Sequence, residues 1–180
     1  MQFGISILSI VPVRSEPNDR SEMTTQLIFG EHYKILETIK RWSKIQIAHD
    51  KYVGWISNKQ IQEINIDEYE KLEKEIPTLT TDILDIIEAD YNQPIVMGSV
   101  LPTFKSDHAL INNKMYKFTG NKTQGYSQKK HLINNAMVFQ NTPYLWGGRT
   151  PFGIDCSGFT QIIYRLQGIK IPRDAYQQIE

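Results

Sequence analysis

The first third of the chain alternates short apolar runs with charged or turn-forming stretches. Residues 4–64 contain five runs of β-forming side chains, namely ISILSIVPV, TQLIF, YKILETI, SKIQIAH and YVGWIS. Stretches such as RSEPNDRSE and HDK separate them. Short strands joined by polar turns predict a small antiparallel barrel of about 60 residues, which we assign to residues 1–65. The first run is broken by Ser6, Ser9 and Pro12 and has no basic start, so it predicts a strand and not a signal peptide or a membrane span.

The pattern changes in the middle of the chain. In IDEYEKLEKEI the side chains of Tyr69, Leu72 and Ile76 recur at helical spacing until Pro77, which predicts a connecting helix within residues 66–78. Residues 79–126 return to β-type runs, namely DILDIIEA, PIVMGSVLPTF and MYKFTG, with turns between them. They predict a second, more divergent barrel.

Residues 127–180 carry two helical patterns joined by an aromatic, glycine-rich loop. SQKKHLINNAMVFQ begins with Ser127 in a cap position and has apolar side chains at helical spacing. The loop YLWGGRTPFGID follows, and CSGFTQIIYRLQG then places an apolar stripe on a segment that closes at Gly168. An amphipathic helix is therefore predicted to begin at or just before Cys156.

Composition excludes several kinds of partner. Twenty basic residues balance twenty acidic ones among 180, so the chain lacks the cationic surplus of a nucleic-acid or membrane-surface binder. Cys156 is the sole cysteine, so it cannot form an internal disulfide, and a reducing compartment, the cytoplasm, is expected unless an upstream leader has been removed. We expect a monomer with no metal and no cofactor.

The position of Cys156 favours a role as a nucleophile. A helix N-terminus carries partial positive charge and unpaired N–H groups, which stabilise a thiolate and can donate to the oxyanion of a tetrahedral intermediate. Gly147, Gly148, Gly153 and Gly158 would let the backbone approach a substrate. The alternative is that a lone cysteine is simply a small buried apolar side chain.

The segment TPYLWGGRTPFGIDCSGFTQIIYRLQGIKIPRDAYQQ resembles the start of the catalytic domain of NlpC-type cysteine peptidases, which are papain-like enzymes that cleave peptidoglycan peptides. The resemblance covers about residues 128–180, and its motifs PYLWGG, DCSGF and IPRDAYQQ follow the order of that family. It implies that Cys156 is the nucleophile. It also implies that Asp155 and Ser157 line the subsite for the free amine of the substrate and that Tyr144 faces the reacting group.

The N-terminal motifs EMTTQLIFGE and DKYVGWIS resemble the bacterial SH3-like domain that precedes such catalytic domains. The implied fold class is α+β, with one or two small SH3-like β-barrels followed by the N-terminal helical part of a papain-like domain. This resemblance makes Glu31 and Tyr52 candidates for contacts to the substrate amine, with Glu31 and Asp155 forming an anionic pocket. The alternatives are an exposed turn residue for Glu31, an aromatic packed on Trp55 for Tyr52, and a helix cap for Asp155.

The chain departs from this family in lacking a suitable general base. The family places a histidine on a strand well after the nucleophile, and the sequence ends at Glu180 before one occurs. His32, His49, His108 and His131 all precede Cys156. These positions predict that the catalytic histidine lies beyond residue 180 and that the 180 residues alone are inactive.

Three functions are compatible with these observations. The first is a cysteine endopeptidase that cuts the bond between γ-D-glutamate and a diamino acid in murein peptides with a free N-terminal L-Ala. The second is a non-catalytic protein that binds cell-wall peptides. The third is an acyltransferase or amidase that uses the same cysteine.

Overall fold

The computed structural model describes residues 2–125 and 128–180, so the predicted helix cap at Ser127 lies outside the described residues. Strands dominate the first two thirds of the chain, and three of the four described α-helices lie in the last third. The N-terminal strands are β1 (Gln2–Ile5), β2 (Ile10–Arg14), β3 (Met23–Ile28), β4 (His32–Thr38), β5 (Trp42–Ile47), β6 (Val53–Ser57) and β7 (Gln62–Ile64).

These seven strands form one antiparallel sheet in the order β3-β2-β6-β5-β4-β1-β7. In the described residues β3 and β7 are its two edges, so the predicted closed barrel is not confirmed. The predicted first strand is also two strands. The chain turns at Ser6, whose N–H donates to the carbonyl of Glu31 and whose carbonyl accepts from the N–H of Gly30. Before this turn β1 pairs with β4, and after it β2 pairs with β3.

The predicted connecting helix is confirmed as α1 (Ile66–Lys74). Asn65 caps it by accepting the N–H of Glu68 at 2.8 Å. Tyr69 and Leu72 are buried, and the ring of Tyr69 stacks on that of Phe3 with centroids 4.3 Å apart. The helix therefore packs as a layer against the N-terminal sheet.

Seven short strands follow, and they form two sheets. The four-stranded sheet has the order β10-β9-β13-β12 and the three-stranded sheet the order β11-β8-β14. A second closed barrel is likewise not confirmed over the residues that the structure describes. The strands are β8 (Thr78–Thr80), β9 (Leu84–Glu88), β10 (Asn92–Val96), β11 (Val100–Leu101), β12 (His108–Ile111), β13 (Lys114–Lys117) and β14 (Lys122–Thr123).

The C-terminal part contains the predicted helices on either side of the glycine-rich loop. Gly168, with φ +79°, follows the end of the second of them, as predicted. The elements are α2 (Lys129–Val138), β15 (Arg149–Thr150), β16 (Gly153–Ile154), α3 (Cys156–Leu166) and α4 (Ala175–Gln178).

Two hydrophobic clusters hold the three parts together. In the first, Phe3 of the N-terminal sheet, Tyr69 of α1 and Tyr116 of β13 share one buried core. In the second, Leu79 of β8 packs with Ile162 of α3. Because each core draws side chains from more than one part, the parts pack as one body.

A buried carboxylate also joins the N-terminal sheet to the C-terminal part. Glu31, in the turn between β3 and β4, accepts hydrogen bonds from Nη1 and Nη2 of Arg149 at 3.1 Å each and from Nη1 of Arg165 on α3. The N–H of Ile28 donates to the same carboxylate at 2.9 Å. Burial alone would raise the pKa of Glu31, but the charges of Arg149 and Arg165 overcome it and lower the pKa to about 2.

We predict that Glu31→Gln lowers the free energy of unfolding by about 3–5 kcal/mol, because it leaves two buried guanidinium groups without their counter-charge. Urea unfolding of the 180-residue chain measures this change. Glu37→Gln, at an exposed position on β4, is the matched control and should change the free energy by less than about 0.5 kcal/mol.

The same carboxylate predicts a pH dependence. Its folded pKa lies below the unfolded value, so its contribution to stability is complete above pH 4.5 and is lost as the pH falls through about 2. Glu31→Gln should remove this component of the acid denaturation curve. An unchanged curve in the variant would contradict the assignment.

Candidate active site

Cys156 is the first residue of α3 and is exposed. Asp155 is the helix cap, and its Oδ1 accepts the N–H of Gly158 at 2.7 Å. The predicted helix start is thus confirmed, and so is the capping alternative for Asp155. By helix geometry the N–H groups of Cys156 and Ser157 have no carbonyl partner within α3, so they remain available beside the thiol.

Asp155 is held by several donors besides the helix. Nη1 and Nη2 of Arg173 donate to Oδ1 and Oδ2 at 3.0 and 2.6 Å, and the N–H of Gly147 donates to Oδ2 at 2.9 Å. Burial would raise the pKa of Asp155, whereas the bonds from Arg173 and the backbone outweigh it and lower the pKa. Arg173 also donates to the hydroxyl of Ser157 at 2.8 Å, so a single guanidinium fixes both neighbours of the cysteine.

The glycine-rich loop packs on the N-terminal sheet. Gly147 has φ +76°, and a Cβ there would lie 2.3 Å from the carbonyl oxygen of Met23 in β3. A Cβ on Gly158 would lie 2.4 Å from the carbonyl oxygen of Gly148. The expectation that these glycines make room for a substrate is therefore corrected at both positions, because they make room for neighbouring backbone.

Two aromatic side chains of this loop are exposed. Tyr144 is 66% exposed and Trp146 is 61% exposed. The indole N–H of Trp146 donates to the carboxylate of Glu22 at 2.6 Å, which connects the loop to the N-terminal sheet a second time. Arg149 is fully buried in this loop, in agreement with a structural role.

Tyr52 lies in the connection between β5 and β6 and packs against a core cluster of the N-terminal sheet. Its backbone N–H donates to Asp50 at 3.0 Å. Burial raises the pKa of its phenol, against the opposing effects of a hydrogen bond with Thr24 and of the charge on Arg173. The charges of Asp174 and Glu22 also act on it, so Tyr52 lies within electrostatic reach of the residues around Asp155.

The structure does not place Glu31 as expected. Its carboxylate is 2% exposed and is neutralised by Arg149 and Arg165, while Asp155 is paired with Arg173. Each carboxylate thus has its own buried cation. The expected anionic pocket made of Glu31 and Asp155 is therefore not formed.

The four histidines lie on other elements. His32 is on β4, where its Nε2 lies 3.2 Å from Glu73, and His49 follows β5. His108 is on β12, with Nδ1 2.8 Å from the carbonyl oxygen of Ser106, and His131 is on α2. None of them is assigned as the general base.

Sequence reasoning missed three residues that shape this region, namely Glu22, Arg165 and Arg173. Each belongs to one of the motifs described above, but its hydrogen-bond partner is distant in sequence. The separations are 124 positions for Glu22, 134 for Arg165 and 18 for Arg173. An arginine in an otherwise apolar helix such as α3 was the one available signal, because a buried guanidinium requires a buried anion.

The described residues show neither a metal site nor a membrane-spanning helix. Over residues 2–125 and 128–180, no group of three or more His, Cys, Asp or Glu is arranged to hold a metal ion. In the same residues, no helix is both long enough and apolar enough to cross a membrane.

Two family models match the sequence. The model described as the bacterial dipeptidyl-peptidase SH3 domain matches residues 13–61. The NlpC/P60 family model matches residues 141–180, which include the glycine-rich loop, Cys156 and Arg173.

Relatives with assigned names cover more of the chain. A gamma-D-glutamyl-L-lysine dipeptidyl-peptidase of Bacillus cereus (strain ATCC 10987) is 28% identical over 183 residues, which cover 88% of this chain and 54% of that protein. The dipeptidyl-peptidase 6 of Lysinibacillus sphaericus is 24% identical over 196 residues, covering 96% of this chain and 72% of that protein. The chain thus spans about half the length of the first relative.

A solved structure gives the same architecture. The crystal structure of an NlpC/P60 family protein from Bacillus cereus ATCC 10987 superposes with a TM-score of 0.84 at 21% identity, covering 98% of this chain and 76% of that one. At this identity the likeness concerns the fold. The comparisons confirm the predicted resemblance: residues 141–180 match the NlpC/P60 family model, and residues 13–61 match the model of the bacterial dipeptidyl-peptidase SH3 domain.

Proposed function

We propose that the protein is a cysteine endopeptidase that hydrolyses the bond between γ-D-glutamate and a diamino acid in murein peptides with a free N-terminal L-Ala. The observation that carries the proposal is the exposed thiol of Cys156 at the start of α3, beside a capped and fixed Asp155. Both relatives are named dipeptidyl-peptidases, which supports the reaction class, and the name of the first supports the γ-D-glutamyl bond.

The thiol supplies the nucleophile. The sulfur of Cys156, as thiolate, attacks the scissile carbonyl carbon, and the negative charge that develops on the carbonyl oxygen is stabilised by N–H groups at the start of α3. Collapse of this intermediate expels the amine of the diamino acid, which takes up the proton that a general base removed from the thiol, and leaves a thioester. Water then attacks the thioester and gives up a proton to the departing thiolate, which regenerates the thiol. The hydrogen bonds from the guanidinium of Arg173 to Asp155 and Ser157 keep the first turn of α3 fixed during these steps.

Selection of a free amine requires negative charge near the cysteine. Because Glu31 is neutralised by buried arginines, we assign the accessible charge of the N-terminal sheet to Glu22, which is exposed and contacts Trp146. Tyr52, Asp155, Ser157 and Tyr144 keep their proposed contacts to the substrate. A substrate ammonium near Glu22 and Tyr52 would form charge-assisted hydrogen bonds, each of which stabilises a complex by about 1.5–3 kcal/mol.

The setting of the reaction remains a prediction. We expect a monomer that works in the cytoplasm on short peptides released by turnover of the cell wall. Detection of the native protein outside the cell membrane, processed from a longer precursor, would argue for a role in remodelling the intact wall.

We predict that Cys156→Ala abolishes hydrolysis of L-Ala-γ-D-Glu-L-Lys by the full-length protein, since the variant lacks the proposed sulfur nucleophile. Mass spectrometry of the products should show L-Ala-γ-D-Glu and free lysine for the unchanged protein alone. Tyr164→Phe, about two turns further along α3 and partly exposed, is the control and should retain most of the activity. Equal product release by the Cys156→Ala protein would rule out the peptidase proposal.

We predict that N-acetylation of the L-Ala amine lowers kcat/KM by about 100-fold, because two charge-assisted hydrogen bonds are lost. Steady-state kinetics on the free and acetylated tripeptides measure the ratio. Comparable turnover of the two peptides would show that the amine is not recognised.

The charge on Glu22 is tested separately by Glu22→Gln, which retains an oxygen to accept the indole N–H of Trp146 and removes only the charge. For the free peptide kcat/KM should fall by about 10-fold or more, and for the acetylated peptide it should stay unchanged. Glu16→Gln, at an exposed position in the same loop, is the control for the loss of one negative charge. An equal fall for both peptides would assign Glu22 a structural role.

A further inference from the structure

A cavity lies at the junction of the three parts of the fold, away from Cys156. It has a volume of about 380 Å³ and is bounded by His49 of the N-terminal part, Pro77 after α1, Leu79 of β8 and Arg165 of α3. A smaller pocket of about 50 Å³ adjoins it and shares His49, Pro77, Arg165 and Lys170. We call the larger cavity the junction cleft.

Among the residues that the structure describes, three side chains that line the junction cleft each carry a buried nitrogen without a hydrogen-bond partner. In the described part of the chain, Nε of Arg165 and Nε2 of Gln167 are buried nitrogen atoms with no hydrogen-bond partner. Nε2 of His49 is a third such atom. The side chain of Arg165 is only 5% exposed. A buried N–H without an acceptor is unfavourable, so an acceptor supplied by a ligand would stabilise this side chain.

The charge balance of the junction cleft also favours an anion. Arg165 shares Glu31 with Arg149, so two buried guanidinium groups contact one carboxylate. Lys170 adds a further positive charge to the lining. Asp50 also acts on both arginines through its charge, so the positive charge that an anion would meet in the lining is chiefly that of Lys170.

The acidic residues near this junction are already engaged. Among the described residues, no Asp or Glu lines the junction cleft, and the three that line the smaller pocket are Glu31, Glu73 and Glu75. Glu73 contacts His32 and Lys51, and Glu75 accepts the N–H of Thr103 at 3.1 Å. A cation is therefore disfavoured in both cavities. The junction cleft offers it N–H donors, and the carboxylates of the smaller pocket already have partners in the protein.

The junction cleft also has an aliphatic part. Ile76, Pro77, Leu79 and Ile169 contribute apolar surface there. A bare inorganic anion would leave this part without contacts, whereas a carboxylate attached to a short aliphatic chain can use both parts of the lining.

We propose that the junction cleft binds a small aliphatic carboxylate, of the chemical class of an N-acylated amino acid or the C-terminal residue of a short peptide. The carboxylate accepts from Arg165 and Gln167 and is attracted by Lys170, and the aliphatic part packs on Leu79 and Ile169. Arg165 is nine residues after Cys156 on α3, about 13 Å along the helix axis, so this site is separate from the cysteine and does not depend on the proposed peptidase activity.

The ligand would also stabilise the fold. Because the lining comes from the N-terminal part, the segment after α1, β8 and α3, a bound carboxylate contacts every part that must separate during unfolding. Binding to the folded state alone raises the melting temperature as ligand concentration rises.

The test uses the 180-residue chain and N-acetyl-L-alanine as the probe, with N-acetyl-L-alanine amide as its neutral counterpart. We expect saturable shifts of the side-chain signals of Gln167 and of the Arg165 Nε–H in ¹H–¹⁵N spectra, together with a rise in melting temperature. The amide should bind at least tenfold more weakly. The absence of saturable shifts with the acid, or equal binding of acid and amide, would overturn the proposal.

Two variants locate the site. Lys170→Met and Gln167→Leu should each weaken N-acetyl-L-alanine binding by fivefold or more, while Lys40→Met, at an exposed position after β4, should leave it unchanged. All three are checked for the dispersed spectrum of the folded protein. Equal weakening by Lys40→Met would indicate general charge attraction and overturn the site, and tighter binding of inorganic phosphate than of the carboxylate would overturn the ligand class.

Discussion

The burial of one carboxylate between two guanidinium groups determines how the rest of the molecule fits together. Glu31 belongs to a turn of the N-terminal sheet, and Arg149 and Arg165 belong to the loop before Cys156 and to the helix after it. Charges removed from water must be paired closely. These three side chains therefore hold the N-terminal sheet against the glycine-rich loop and α3. The loop, the helix and the sheet can then pack around them in only one arrangement.

The arrangement explains why the site is rigid on both sides of the thiol. Before Cys156, the loop contacts the backbone of β3 at Gly147 and the carboxylate of Glu22 at Trp146. After it, Arg173 returns from the end of the chain to hold Asp155 and Ser157. Cys156 thus stands on a frame made by three separate segments, which would supply the preorganisation that the proposed acyl transfer needs.

Local features of this frame could be predicted from the sequence. The start of α3 follows from an apolar stripe preceded by Asp155, and α1 follows from the spacing of Tyr69 and Leu72 before Pro77. Such features depend on neighbours within a few residues. The pairing of strands into open sheets does not, because it depends on contacts between distant segments, and the predicted barrels were accordingly not confirmed as closed.

The choice between two glutamates shows the same limit. Glu22 and Glu31 stand at opposite ends of one motif around β3, and nothing in that motif tells which of them meets an arginine and which meets solvent. The answer lies in Arg149 and Arg165, 118 and 134 positions away. A residue type can be assigned to a site by resemblance, but its charge state and its accessibility are set by partners that are distant in sequence.

The placement of α1 has a consequence for how such proteins diversify. Domains joined by a flexible tether can be exchanged by recombination within the tether, because each half keeps its own core. Here Tyr69 of α1 is buried together with Phe3 on one side and Tyr116 on the other. A crossover within residues 66–78 would leave apolar surface uncovered in both descendants, so the sheet, the helix and the strands that follow should be inherited as a single unit.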